Sequence, residues 1–456
     1  MKRKTARISA FTLAVILCLG GGLCIWKWDT WFHNPPELPY ATPHSPDRII
    51  LSLGEDARTE RTVAWRCDTF LQAARVEYYA LPDSNMPAVE PLYTADATGT
   101  VVPSRAGKSA FYQARLGQLE SGHAYRYRVC CGNTHSGWHD FRIPPAHDTL
   151  DFLYIGDVQD KTDGNTGQFF HLLREAYPGT AFWAFAGDII ERPTDAYWSY
   201  WFSSMDGIPA SVPILAATGN HEYLKGLPKT LDTRWTHTFV NPGNGPQGFE
   251  GQTYYIDFPD LRYIVIDTDG IQGPVSLWRH RNWLKAVLED NPKKWTIIMM
   301  HHPVHSVRSG RDNYYVRWTF RPLFERYGVQ LVLQGHDHGY SRITTKTAEG
   351  EKTVPVYVVS SSSPKTYRIG FDPIHDRLGA NLQLYQHIRI TGDTLHYESR
   401  TYDHQLYDDL LITSSGTVID RAGDIPEQLD YPFGNSPEER EKARAYEQEK
   451  NARQGR

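Results

Sequence analysis

The sequence predicts two folded domains, an all-β sandwich followed by an α/β domain, behind an apolar amino-terminal segment. Short strand-like runs recur at close intervals between Arg48 and Ile143, the cadence of a β-sandwich. From Asp151 the pattern changes to continuous apolar runs separated by helix-like stretches, repeating at roughly the 30 residues of a strand, a crossover helix and a return strand. The chain of 456 residues is long enough to give each domain its own core.

Lys2, Arg3, Lys4 and Arg7 precede an uncharged stretch from Ile8 to Trp26. This is of spanning length, roughly 20 residues, so residues 1–27 read as a signal peptide or membrane anchor. An Ala-x-Ala-like exit is missing, which favours an uncleaved anchor with its basic end in the cytoplasm over a cleaved signal peptide. In either case the body is exported to the periplasmic or extracellular face, held at the membrane by residues 8–26 in the first. Residues 28–46 are rich in proline and aromatics and read as a linker.

The sandwich is expected over residues 47–145, with strands at 48–53, 61–67, 74–81, 110–116, 124–131 and 137–143 and with Trp65 in the core. Cys67 and Cys131 are placed to face one another. An oxidising compartment would allow a disulfide, two buried thiols fit equally, and the neighbouring Cys130 leaves the partner open. The net charge of -5 and pI near 6.4 argue against a nucleic-acid-binding surface.

In the α/β domain, residues 150–405, each apolar run ends on chemistry. The run Asp151 to Ile155 leads to Asp157, Ala181 to Ala186 to Asp188, and Val212 to Ala217 to Asn220. Helices are expected at 167–177 and 195–206. Right-handed crossovers would make these strands parallel and turn their carboxyl ends to one crevice. Trp295 to Met300 ends at His301, and Val329 to Leu333 precedes Gly335-His336-Asp337-His338. Asp, Asn and His donors with no cysteine nearby suit Mn, Fe or Zn rather than a thiolate site. A strand over 354–363 and a hairpin of 384–390 with 394–401 would complete a second sheet. Residues 406–456 read as a carboxy-terminal extension ending in a charged, solvated or frayed helix from Pro437.

The ordered motifs Gly156-Asp157, Gly187-Asp188, Gly219-Asn220-His221-Glu222, His301-His302-Pro303 and Gly335-His336-Asp337-His338 resemble those of the calcineurin-like metallophosphoesterase superfamily. The strand-rich segment ahead of them is similar to its purple-acid-phosphatase-like branch. Leu116, Leu119, Ser121-Gly122 and Tyr125 resemble the tyrosine corner of fibronectin type III domains. The resemblance implies a fibronectin-III-like sandwich ahead of an α/β/β/α metallophosphoesterase domain.

It also implies two divalent metal ions, Mn, Fe or Zn. The first would be held by Asp157, Asp188 and His338, and the second by Asp188, Asn220, His301 and His336, with Asp188 bridging. Metal-bound hydroxide would attack phosphorus, and His221 would protonate the leaving oxygen. Glu191 occupies the position of the tyrosine that colours the purple enzymes, so a colourless protein with two divalent ions is expected. Gln159 is a weaker candidate ligand of the first ion. His302 and His305 are expected at the pocket, in contact with substrate or simply exposed. Glu222 would orient His221 or start a turn, Tyr340 would pack, and Arg342 would lie on the surface.

The activity so implied is an exported phosphomonoesterase acting on a small phosphate ester. A phosphodiesterase or nucleotide hydrolase with the same metals is the alternative. A non-catalytic surface binding protein is the remote one, and its signature would be a lost ligand. The membrane is a partner through the amino-terminal segment if that is uncleaved, and no nucleic acid is expected.

Overall fold

The computed structural model describes residues 12, 15, 18–82, 92–145, 149–423 and 425–453. Part of the apolar stretch from Ile8 to Trp26, residues 8–11, 13, 14, 16 and 17, lies outside them. Among the described residues no helix is long and apolar enough to cross a membrane.

The first domain is a pair of sheets. One has the order Asp47–Leu53, Arg61–Cys67, Lys108–Leu116, Thr98–Pro103. The other runs Tyr93–Asp96, Ala74–Ala80, Ala124–Cys131, Thr134–His135, with His139–Arg142 also paired to Ala124–Cys131. Side chains alternate across each strand, and those turned inward, among them Val63, Trp65, Tyr112, Val76, Tyr127 and Val129, form the core. Trp65 stacks on Tyr112 with ring centres 5.6 Å apart. Tyr125 accepts a hydrogen bond from the Glu120 amide at 2.7 Å, the contact a tyrosine corner requires. Cys67 and Cys131 are free and buried, and burial together with the Cys131 thiol pushes the Cys67 thiol up to about 12. Strands Tyr93–Asp96 and Thr98–Pro103 escape the sequence because most of their side chains are half-exposed or exposed, which leaves little apolar pattern to read.

The second domain stacks two seven-stranded sheets. The first sheet places Leu150–Ile155, Trp183–Phe185 and Ile214–Ala216 parallel at one side, and continues antiparallel through Leu384–Thr391, Thr394–Thr401, Leu406–Thr413 and Val418–Asp420. The second carries Leu261–Ile266, Trp295–Met300, Leu331–Gln334 and Lys352–Val359 in parallel, with Tyr254–Asp257, Tyr340–Lys346 and Arg377–Gly379 completing it. Phe152, Tyr154, Leu215 and Ile388 of the first sheet meet Tyr263, Ile297, Leu333 and Val358 of the second in the central layer. The opposite faces are covered by helices Thr166–Ala176 and Asp195–Ser204 on one side and Pro274–Glu289 and Tyr314–Arg326 on the other. Burial on both faces explains why these strands read as unbroken apolar runs.

Three expectations about the limits of the domains need correction. Leu406–Thr413 and Val418–Asp420 belong to the first sheet, so the second domain runs to Asp420 and not 405. The helix Pro437–Arg453 is docked: Tyr446 is buried beside Leu429 and Tyr431, and its hydroxyl donates to Glu427 at 3.2 Å. One aromatic in a charged stretch gives no readable apolar face. The segment 28–46 is likewise no free linker, since Glu37 is buried, pairs with Arg234 and accepts the Asp195 amide at 2.7 Å.

Arg342 is buried rather than on the surface. It donates to Asp408 at 2.8 and 3.2 Å and to Asp420 at 3.0 Å, while Tyr340 donates to Asp408 at 2.7 Å. This network ties the last strands of one sheet to the other. Removing one partner of a buried pair strands the other charge, so Asp408→Ala is expected to cost about 3–5 kcal/mol of folding stability, read as a lower denaturant midpoint at unchanged slope.

Candidate metal centre

The carboxyl ends of the parallel strands in both sheets meet at one rim. Glycine is needed there twice. Gly187 has φ +90°, and a Cβ on it would lie 2.6 Å from the Gly219 amide nitrogen. A Cβ on Gly335 would lie 2.2 Å from Asp157 Oδ1. Asp188, His336 and His338 themselves take φ values of +48°, +76° and +42°, conformations that cost of order 1–3 kcal/mol each and gather at functional sites.

Asp188 stands at the middle. Its Oδ2 lies 3.3 Å from His301 Nε2 on one side and 3.3 Å from Gln159 Nε2 on the other. On the first side, His301 Nε2 is also 3.3 Å from Asn220 Oδ1 and 3.0 Å from His336 Nδ1. The ligand atoms of Asp188, His301 and His336 fall within 4.8 Å of one another. His301 Nδ1 donates to the Ala186 carbonyl at 3.0 Å, which fixes the tautomer and turns Nε2 inward as a lone-pair donor. On the second side, His338 Nε2 is 3.3 Å from Asp157 Oδ2 and 3.2 Å from Gln159 Nε2.

Lone pairs crowded in this way need a positive charge between them. Without one, Asp157 Oδ2, Gln159 Oε1 and His338 Nδ1 are buried and have no hydrogen-bond partner. Burial pushes the Asp157 carboxyl up to about 7 against the pull of His301, and Asp188 adds to the rise. Burial alone would push His301 down, but Asp188 and Asp157 draw it well up. Burial also favours the neutral acid in Asp188, yet the His301 and His221 charges hold it well below the usual carboxylate range. His338 is pushed down to about 3 by burial, leaving it a neutral donor. The residues therefore fit two cations sharing Asp188.

Gln159 sits with Asp157 and His338, on the second side of Asp188. Amide oxygen and nitrogen have the same shape, so turning the group over would aim its oxygen at the same space. Gln159→Ala is expected to weaken retention of one ion about 10–100-fold, the usual size of such effects, while Glu191→Ala leaves metal content unchanged. Dialysis against graded chelator followed by elemental analysis measures both. Glu191 is set apart because its carboxylate pairs with Lys365.

His221 is held beside Asp188. Its amide donates to Asp188 Oδ1 at 2.8 Å, its Nδ1 donates to the Glu191 carbonyl at 2.5 Å, and Nε2 lies 3.9 Å from Asp188 Oδ2. Burial opposes a proton on this ring, but Asp188 and Glu191 together outweigh it and raise the pKa. Glu222 does not orient His221. Its carboxylate accepts four amides, from Gly219, Asp188, Ile189 and Ile190, at 2.7 to 3.2 Å, and so clamps the Asp188 loop.

His302 reaches the site. Its ring centre is 4.3 Å from that of His336, with Nδ1 2.9 Å from Thr268 Oγ1. His305 does not reach it: its ring packs on Tyr357 at 5.7 Å, and burial with Arg321 and Arg317 nearby pushes it down to about 4. The loop bends away from the metal centre after His302, because Asp337 accepts Ser306 Oγ and the amides of Val307 and Arg308.

Three residues at the site were not singled out from the sequence. Lys365 follows the serine run that packs on Asp157, where the Ser362 amide donates to the Asp157 carbonyl at 2.8 Å. Tyr367 packs on His338 with ring centres 4.6 Å apart. Asp269 is buried without a hydrogen bond, 3.6 Å from His302 Nδ1 and from Lys229 Nζ. The serine run was the one readable signal.

Comparison with known proteins agrees with this geometry. A profile of the calcineurin-like phosphoesterase family matches residues 150–340, and one of the purple acid phosphatase N-terminal domain matches residues 46–143. An uncharacterized protein of Mycobacterium tuberculosis is 30% identical over 162 residues, 32% of this chain and 30% of its own. Purple acid phosphatase 15 of Arabidopsis thaliana is 28% identical over 280 residues, 56% of this chain and 48% of its own. The chain thus spans less than half the length of these two relatives. The structure of a purple acid phosphatase from yellow lupin (Lupinus luteus) seeds superposes with a TM-score of 0.67 at 17% identity, covering 82% of this chain and 75% of that one. The chain carries a calcineurin-like phosphoesterase domain over residues 150–340, behind a purple acid phosphatase N-terminal domain over residues 46–143.

Proposed function

We propose that this chain is an exported, metal-dependent hydrolase of phosphate monoesters. The observation that carries the reading is the placing of Asp188 Oδ2 between two groups of inward-facing donors, 3.3 Å from a member of each. Asp157, Asp188, His338 and Gln159 would hold one ion, and Asp188, Asn220, His301 and His336 the other. Two divalent ions supply an activated water and offset the charge of the phosphate.

The chain's own residues do the rest. The Ala186 carbonyl keeps His301 Nε2 turned inward, and Glu222 holds the Asp188 loop rigid through four amides. With Nδ1 committed to the Glu191 carbonyl, His221 offers Nε2 as the group that gives a proton to the leaving oxygen. Lys365, paired with Glu191, has a charge that bears on both His221 and His338. Glu191 in place of a tyrosine supports two divalent ions and a colourless protein. The uncharged run Ile8 to Trp26 after a basic start supports export.

Turnover of 4-nitrophenyl phosphate and bis(4-nitrophenyl) phosphate at matched concentration tests the reading. Higher kcat/KM for the monoester is expected. Preference for the diester would replace it with a phosphodiesterase, and no turnover of either by metal-replete protein would remove the hydrolase.

A further inference from the structure

Large apolar side chains stand exposed along one side of the metal centre. Helix Pro274–Glu289 follows strand Leu261–Ile266 and helix Tyr314–Arg326 follows Trp295–Met300, so both helices begin at the strand ends that carry the site. Their first two turns present Val275 with Trp278, 63% exposed, and Tyr314 with Trp318, 71% exposed. Leu227, 77% exposed, adds to them from the turn between Tyr223–Leu224 and Thr230–Leu231. That turn is fastened to the segment just ahead of the first helix, since the Lys229 amide donates to Gln272 Oε1 at 2.6 Å and Gln272 Nε2 donates to the Lys229 carbonyl at 2.9 Å. It is also linked to the site through Lys229 Nζ and Asp269. Exposed apolar side chains gathered on neighbouring elements in this way, with Tyr314 and Trp318 in ring contact at 5.4 Å, mark a contact surface.

The point where the amino-terminal segment leaves the body indicates what covers it. Asn34 and Lys225 exchange two hydrogen bonds of 2.9 Å, and Lys225 Nζ donates to the Asp29 carbonyl at 2.8 Å. Lys225 is two residues from Leu227, and Asp29 is three from Trp26, where the uncharged run of spanning length ends. Trp26 and Trp28 are exposed there, and tryptophan favours the membrane interface. The two rim helices carry six basic side chains, Arg279, Arg281, Lys285, Arg317, Arg321 and Arg326, against two acidic ones, in a chain whose net charge is -5; Lys285, Arg317 and Arg321 pair with Glu289, Asp312 and Glu325, which still leaves an excess of positive charge. Anionic headgroups attract such a surface.

We propose that this rim rests on a lipid bilayer, into which the amino-terminal segment is inserted, so that the metal centre opens at the level of the headgroups. The docking builds on the anchored reading of the amino terminus and stands whether or not the site hydrolyses monoesters.

The full chain, reconstituted into vesicles of phosphatidylcholine and phosphatidylglycerol with brominated acyl chains, tests it by quenching of its 13 tryptophans. In the double variant Trp278→Gln, Trp318→Gln the quenched fraction of the emission falls if the rim lies on lipid. It rises if the rim faces water, because two unquenched emitters have then been removed, and a rise or no change overturns the proposal. Hydrogen exchange of the unmodified chain over residues 224–231 and 314–320 provides the second reading. Several-fold slowing in vesicles at every protein density supports docking. Equal rates in vesicles and micelles, or slowing that grows with protein density as contact between two copies would give, overturn it. Hydrolysis of 4-nitrophenyl phosphate is followed in the same samples: equal turnover in both proteins shows the variant is folded, and absence of turnover from both would sink the hydrolase while leaving the quenching result to decide the docking.

Discussion

Asp188→Asn is expected to lower phosphomonoester turnover about a thousandfold or more, a barrier rise of roughly 4 kcal/mol at about 1.4 kcal/mol per decade, and to strip the protein of metal. Asp188 Oδ2 faces both groups of donors, while Oδ1 accepts the His221 amide at 2.8 Å. An amide in its place keeps the shape but removes the one negative charge shared by two cations, so both lose affinity together. His221 also loses the carboxylate that raises its pKa. Elemental analysis alongside turnover separates these effects. Metal content near that of the unsubstituted protein, with activity within about tenfold of it, would contradict the bridging role.

His221→Ala is expected to keep its metal and to lose rate on an alkyl phosphate by about 10²–10⁴-fold, the range for a lost general acid. The loss should depend on the leaving group. An aryl phosphate whose phenolate departs readily needs little help, whereas an alkyl phosphate needs a proton delivered as the bond breaks. The penalty should therefore be small for 4-nitrophenyl phosphate and largest for an alkyl ester. His221 is set for this task because Nδ1 is committed to the Glu191 carbonyl, which leaves Nε2 as the mobile position. An equal loss for all leaving groups would make His221 a positioning residue that acts through the Asp188 loop.

Much of this centre was legible in the sequence because each candidate ligand closes a strand buried on both faces. Such strands are continuous apolar runs, and a lone Asp, Asn or His at the end of one stands out. Trp295–Met300 was readable to the residue for that reason. What escaped the sequence depends on partners far along the chain. Asp408 and Asp409 interrupt the apolar pattern of Leu406–Thr413, and Asp408 can be buried there only because Arg342 and Tyr340 of the other sheet meet it. Glu222 looks like a neighbour of His221, yet its carboxylate closes a turn more than thirty residues earlier. Lys365 and Tyr367 lie on an irregular segment, where no periodicity marks direction. His305 sits in the same loop as His302, and spacing alone could not tell that Asp337 bends that loop.

The most direct measurement is anomalous-scattering crystallography of the metal-replete protein. Two peaks are predicted, one beside Asp157 and His338, the other beside Asn220, His301 and His336, with Asp188 in contact with both. A single peak, or ions bound elsewhere with these side chains left empty, would contradict the account.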